Sequence, residues 1–306
     1  MPGLADRALG MLEGRQLVVR HDARWPLPPR TNVWQRVWTP DHAAGVWPAG
    51  GPYDSIVLPL PRGKDALRFC LHACASVLHP HGKVILFGDN DLGIKSAGAV
   101  AGEVFAAAES VYTGDHGRIW ILQKPQDFKK SVDDFVTGNP PFQSFPGVFA
   151  GGQLDEATAL LIQHLPDVPP GTEVLDFACG IGLLAGAMLY KQEGCIVTAS
   201  DHDPLAIRAT SLNVAQAKTI LSGGVAAIQG TFDLVISNPP IHEGNTQSFR
   251  IVGELVAALP KLLKPAGQAY LVTQVTVPVA RLAKDAGLQY AEVAATRSFR
   301  VSRVAR

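Results

Sequence analysis

The chain has 306 residues, 47% of them apolar, and its 27 basic and 27 acidic side chains cancel. That length and apolar content can bury one large core or two ordinary ones and exclude a disordered chain. Zero net charge excludes nucleic-acid binding through a global basic field and leaves only local patches for it.

The four cysteines, Cys70, Cys74, Cys179 and Cys195, form no Cys-x-x-Cys pair, and no His stands at zinc-finger spacing. They read as reduced, buried thiols, so no metal is expected. The opening residues include Asp6, Arg7 and Glu13 among short apolar runs, unlike a secretory leader. No apolar run reaches the roughly 20 residues that span a bilayer. A soluble, cytoplasmic protein without membrane contact is the expectation.

Residues 1–52 are rich in Pro, Trp and Arg, as in Trp25-Pro26-Leu27-Pro28-Pro29-Arg30, and predict loops and short strands. Interleaved Trp and Arg either stack on bases or pack on their own domain. Residues 53–58 form a short apolar strand. Leu67, Leu71, Cys74, Ala75 and Leu78 then recur at helical spacing over 65–78, closed by His81-Gly82. Residues 83–87 return as a strand, 98–108 as a helix and 118–123 as a strand. The alternation predicts an α/β layer. No glycine-rich loop follows any of these strands, so a nucleotide site in this half has little support.

Residues 125–146 are polar and break the periodicity, which marks 126–144 as the linker. Its Asn139-Pro140-Pro141 has no apolar strand before it and reads as a turn. The second half opens with Gly147-Val148-Phe149 and a helical spacing through Leu165. Residues 172–177 form a strand that runs into Ala178-Cys179-Gly180-Ile181-Gly182 and a helix over 183–190. Small residues there let a ligand approach the backbone, and amide donors point out of the turn. Asp176, at the strand's end, would repel a pyrophosphate and favour a cationic ligand.

Residues 195–201 form the next strand, ending in Asp201. An acid at this point is placed either to accept from both hydroxyls of a ribose or to cap the following helix, a role Asp203 before Pro204 fits equally. A third strand falls near 220–221 or 225–228. Leu234-Val235-Ile236 is the continuous apolar run of a strand covered on both faces. Pro239 and Pro240 end its ladder and leave Asn238 at the carboxyl end, where open α/β sheets hold their ligands. A helix over 253–263, a strand over 268–274, a helix over 279–286 and a hairpin of 290–296 with 299–305 complete the chain. Arg297, Arg300, Arg303 and Arg306 on that hairpin either steer an RNA backbone or protect a solvated edge strand.

Three sites in this order resemble a class I S-adenosylmethionine-dependent methyltransferase. Val174 to Gly182 resembles its first motif, Asp201 its ribose-binding acid and Asn238-Pro239-Pro240 its amino-methylating loop. Phe145-Pro146-Gly147-Val148-Phe149, Leu154-Asp155 and the run from Phe232 to Gly244 are similar to the bacterial ribosomal RNA guanine-N2 methyltransferases, the small-subunit methyltransferase C family in particular. The specific motifs cover 145–245; over 1–125 the resemblance is one of architecture and length.

The resemblance implies two tandem Rossmann-like methyltransferase-type domains. The first, residues 1–125, is degenerate and docks RNA or supports the fold. The second, residues 145–306, is catalytic, with a seven-stranded, mostly parallel sheet ending in an antiparallel hairpin. The implied cofactor is S-adenosylmethionine, held by Phe149, Asp176, Ala178, Cys179, Gly180, Gly182, Asp201, His202 and Asn238. The implied catalytic group is Asn238, Pro239, Pro240 and Ile241, acting as a monomer on ribosomal RNA or the small subunit. The Asn238 oxygen and the Pro239 carbonyl would accept from a guanine NH2.

Three positions depart from the family pattern. Ala178 stands where Gly is usual, and Ile241 where an aromatic ring stacks on the base. Gly223-Gly224 stands where many relatives carry an acid. The residues leave two other readings open: the same chemistry on a protein glutamine or DNA adenine, and a non-catalytic RNA-binding or ribosome-assembly protein.

Overall fold

The computed structural model describes residues 3–19, 25–39, 42, 44–126, 128–240 and 246–306. Two compact units divide between Val136 and Thr137. Of the residues expected at the site, Ile241 lies outside the described residues.

The first unit contains α1 (Leu4–Leu9), β1 (Gln16–Val19), β2 (Asn32–Trp34), β3 (Tyr53–Pro59), α2 (Lys64–Val77), β4 (Leu78–Asp89), α3 (Ile94–Ala101), β5 (Phe105–Gly114) and β6 (Gly117–Pro125). Its sheet runs β2-β1-β3-β4-β6-β5. The first four strands in that order are parallel, and β6 and β5 are antiparallel. Two expectations change here. The helix expected over 98–108 stops at Ala101, and residues 105–108 begin β5 instead. The β5–β6 hairpin turns through Asp115 and His116, both at positive φ, the conformation that a two-residue hairpin turn needs. The helix expected over 65–78 ends at Val77, and His81 and Gly82, expected to close it, belong to β4.

The polar stretch between the sheets is divided between the units. Phe135 packs edge-on against Phe69 at 5.1 Å between ring centroids, and the Lys129 amide donates to His72 Nδ1 at 2.7 Å. Burial lowers the His72 pKa, consistent with a ring nitrogen that accepts. From Thr137 onward the chain belongs to the second unit, where Gln143 is clamped by Asn213. The Gln143 amide donates to Asn213 Oδ1, and Asn213 Nδ2 donates to the Gln143 carbonyl, each at 2.9 Å.

The second unit contains α4 (Glu156–Gln163), β7 (Glu173–Phe177), α5 (Leu183–Lys191), β8 (Ile196–Asp201), α6 (Pro204–Asn213), β9 (Lys218–Leu221), β10 (Phe232–Ser237), α7 (Thr246–Leu262), β11 (Leu263–Gln274), α8 (Val279–Asp285), β12 (Gln289–Ala295) and β13 (Phe299–Ala305). The sheet order is β12-β13-β11-β10-β7-β8-β9. It is parallel except for β13, which is antiparallel to both β11 and β12, as the sequence predicts. The third strand is Lys218–Leu221, and residues 225–227 are a single 3-10 turn. The closing arginines do not mark an edge strand: β13 lies between β11 and β12, and Arg300 ion-pairs with Glu292 across the hairpin.

Strand β10 is central, and its apolar run serves both faces. Val235 packs with Leu255, Val256 and Leu259 of α7, while Leu234 and Ile236 pack with Leu161 of α4 and Leu184 and Met188 of α5. Burial on both faces explains why the run is continuous rather than alternating. Because β7, β8 and β10 are parallel and in register, Phe177, Ser200 and Ser237 fall side by side at one edge of the sheet.

Removing side-chain volume from this core has a defined cost. Leu271→Ala, at a fully buried position on β11, is expected to destabilise the protein by about 2–5 kcal/mol. Tyr190→Ala, at a residue 95% exposed, should change stability by less than about 0.5 kcal/mol. Urea unfolding of the two variants measures both.

Candidate functional site

The turn after β7 is built on left-handed backbone. Ala178, Gly180 and Gly182 have φ of 60°, 57° and 85°. Glycine is required at 182, where a Cβ would meet Thr210 Cγ2 at 2.9 Å. At Gly180 a Cβ would meet nothing within 4 Å, so the backbone there faces open space. Ala178 adopts the conformation at a cost of roughly 1–2 kcal/mol relative to glycine. The Cys179 amide donates to the Ser200 carbonyl at 2.9 Å, and Thr210 Oγ1 donates to the Gly180 carbonyl at 3.0 Å. The turn is thereby pinned to β8 and α6. Burial pushes the Cys179 thiol well up, so it packs as an unreactive group.

Asp176 is fully buried beneath this turn. Its Oδ2 accepts from the Ala185 amide of α5 at 3.0 Å, and its Oδ1 has no hydrogen-bond partner. Burial raises its pKa to about 7, the Ala185 bond opposes that, and nearby Asp201 adds to it. The sequence places this acid at the strand end; the fold turns it under α5, fully buried.

Asp201 is 9% exposed. Its Oδ2 accepts from the Gly180 amide at 2.9 Å and its Oδ1 from the Asp203 amide at 3.0 Å. Asp203, not Asp201, caps α6: its Oδ1 accepts from the Leu205 amide at 2.8 Å. His202 is about half exposed, with Nδ1 3.2 Å from Asp201 Oδ1. That hydrogen bond raises its pKa against the opposing effect of burial.

Asn238 leaves β10 half-buried, followed by Pro239 and Pro240. Its Nδ2 donates to Thr158 Oγ1 at 2.9 Å and to Asp155 Oδ1 at 3.3 Å. Asp155 is the N-cap of α4, accepting from the Ala157 and Thr158 amides at 3.1 Å. A pocket brings Asn238 together with Phe149, Ala178, Cys179 and Gly180 from the expected set. Asp155, Thr158, Gln153, Ile181, Leu183 and Leu184 also line it, and the sequence reading assigned none of them a role. For Thr158 the available signal was its place three residues after a capping Asp. Asp201 joins the pocket through its bond to Gly180, while Asp176 lies below it. Phe149 is 58% exposed.

The arrangement pairs an acid-flanked turn with a neutral amide at the next strand end. Among the described residues, no group of three or more His, Cys, Asp or Glu could hold a metal ion, and no helix is long and apolar enough to cross a membrane.

The methyltransferase small domain family matches residues 139–303, more than half of the chain, and the methyltransferase small domain N-terminal family matches residues 36–138. The ribosomal RNA small subunit methyltransferase C of Hahella chejuensis is 30% identical over 244 residues, 76% of this chain and 71% of its own. The chain belongs to the ribosomal RNA small subunit methyltransferase C family. Another relative in this family, from Pseudomonas putida, is 31% identical over 74% of this chain and 71% of its own. A solved T. thermophilus 16S rRNA methyltransferase, in complex with AdoMet and guanosine, superposes with a TM-score of 0.81. It covers 99% of this chain and 91% of its own at 22% identity, a likeness of fold.

The Asp176 carboxyl sets a pH dependence. Its pKa is 3.8 in the unfolded chain and about 7 when folded, so between these values the folded state holds a proton the unfolded state has lost. Stability from this group therefore falls as pH rises from about 4 to about 7 and levels off above, by at most about 2–4 kcal/mol. Asp176→Asn should remove that slope, which urea unfolding at pH 5 and pH 8 measures.

Proposed function

We propose that the protein transfers a methyl group from S-adenosylmethionine to the exocyclic N2 amine of a guanine in small-subunit ribosomal RNA. The observation that carries this reading is the placement of Asn238 in one pocket with the open turn at Gly180, inside the fold of this family.

The residues fit the cofactor. Open space at Gly180 admits a ligand against exposed backbone, and the unpartnered oxygen of Asp176 favours a cation above it. Asp201 stands at the second strand end to accept from ribose hydroxyls, with His202 beside it. Ala178, Cys179, Gly182 and Phe149 shape the walls. S-adenosylmethionine supplies, when bound, a methyl group on a sulfonium that leaves as a neutral thioether.

The remaining task falls to the chain's own residues. A guanine amine is a poor nucleophile because its lone pair is delocalised into the ring. The Asn238 oxygen and the Pro239 carbonyl accept from its two N–H groups and draw the nitrogen towards tetrahedral. They stabilise the positive charge that develops on it as the N–C bond forms and the C–S bond breaks. The nitrogen then releases a proton to water, so no strong base is needed. Pro239 and Pro240 hold the acceptors rigid, and the base leaves any stack to reach them. Ile241, an aliphatic residue by sequence, would offer a base less dispersion than an aromatic ring. The unit of residues 1–136 docks RNA or supports the fold, and the protein works as a cytoplasmic monomer.

Asn238→Ala is expected to lower methyl transfer to small-subunit RNA by at least roughly 100-fold. S-adenosylmethionine affinity, measured by calorimetric titration, should change by no more than about twofold, or roughly 0.4 kcal/mol. Equal loss of both would make Asn238 a structural residue.

A further inference from the structure

Asn238 can serve the proposed reaction only with one of its two amide corners facing the substrate. The oxygen accepts from an incoming amine, whereas the NH2 repels it. The two corners are nearly isosteric, so the choice must come from neighbouring hydrogen bonds. Those neighbours are Asp155 and Thr158, on the first turn of α4.

The network admits one solution. Both oxygens of the Asp155 carboxylate accept. Oδ1 takes the Ala157 and Thr158 amides, and Oδ2 takes the Thr158 hydroxyl proton. With its single proton given to Asp155, Thr158 Oγ1 can only accept from Asn238. The corner of Asn238 that meets Thr158 at 2.9 Å and Asp155 at 3.3 Å is therefore the NH2. The amide oxygen is the corner these two residues leave for a ligand. Thr158 is 6% exposed, so bulk water does not compete freely for the bond.

We propose that Asp155 and Thr158 are positioning residues that lock the amide orientation of Asn238, with its oxygen towards the substrate amine. This rests on the methyl-transfer reading above. The capping role of Asp155 does not by itself explain the pair, because a cap needs no contact with a strand end 80 residues away in sequence. One hydroxyl relays the acceptor character of a helix cap to the catalytic amide.

Thr158→Val keeps the side-chain shape and removes both the donor and the acceptor, and Thr158→Ser keeps them. With wild-type protein and small-subunit RNA as the reference, Thr158→Val should lower kcat by at least roughly tenfold. The KM for RNA and the titrated Kd for S-adenosylmethionine should stay within about twofold, near 0.4 kcal/mol. Thr158→Ser should return kcat to within a few-fold of wild type. Asp155→Asn retains a good N-cap and removes the acceptor-only partner, so it should lower kcat without unfolding the protein. Wild-type kcat in Thr158→Val would overturn the proposal, as would equal impairment of Val and Ser or a matching loss of cofactor affinity. Failure of the underlying reading is seen separately, as absence of transfer by the wild-type protein.

Discussion

The hydroxyl of Ser237 donates to the carbonyl of Phe177 at 2.6 Å, with Ser237 fully buried. This bond joins the last residue of β10 to the last residue of β7. One strand end carries the Asn-Pro-Pro turn and the other the left-handed turn that opens onto α5. Parallel register places the two ends side by side, and the buried bond holds them there. Apolar packing on both faces of β10 secures that register, since a slip of one residue would exchange Val235 with Leu234 and Ile236 between the two cores.

Charge is distributed around this junction with care for a chain of zero net charge. Asp176 and Asp201 lie near the ends of adjacent strands, and Asp201 adds to the cost of ionising the buried Asp176. Gly180 gives its amide to Asp201, while Ala185 offsets part of that cost by giving its own to Asp176. One oxygen of Asp176 remains without a partner, and no apolar ligand would relieve it. A positive charge above it would favour its ionised form. On the other side Asn238 is neutral, so an uncharged amine can approach without desolvating an ion.

The sheet of the second unit was legible because its strands announce themselves. Leu234-Val235-Ile236 is closed on its C-terminal side by Pro239 and Pro240, and Asp176 and Asp201 stand where apolar runs stop. In the first unit Ala106-Ala107-Ala108-Glu109 is composed of good helix formers, yet it pairs with β6 because the Asp115-His116 turn folds it back. Tertiary pairing overrode local propensity there. The site was half legible. Strand-end acids and the Asn-Pro-Pro turn are local patterns, whereas the Asp155–Thr158–Asn238 chain joins residues about 80 apart and exists only once α4 packs beside β10. The path of Asp176 beneath α5, rather than into the pocket, likewise depends on the helix start that caps it.

The identity of the atom that receives the methyl group is decided by direct labelling. The protein should be incubated with methyl-labelled S-adenosylmethionine and unmodified small-subunit RNA, free and assembled, and the RNA digested to nucleosides. Label is expected in N2-methylguanosine and in no other nucleoside. Label in methyladenosine, in ribosomal protein, or in nothing at all with cofactor binding intact would contradict it.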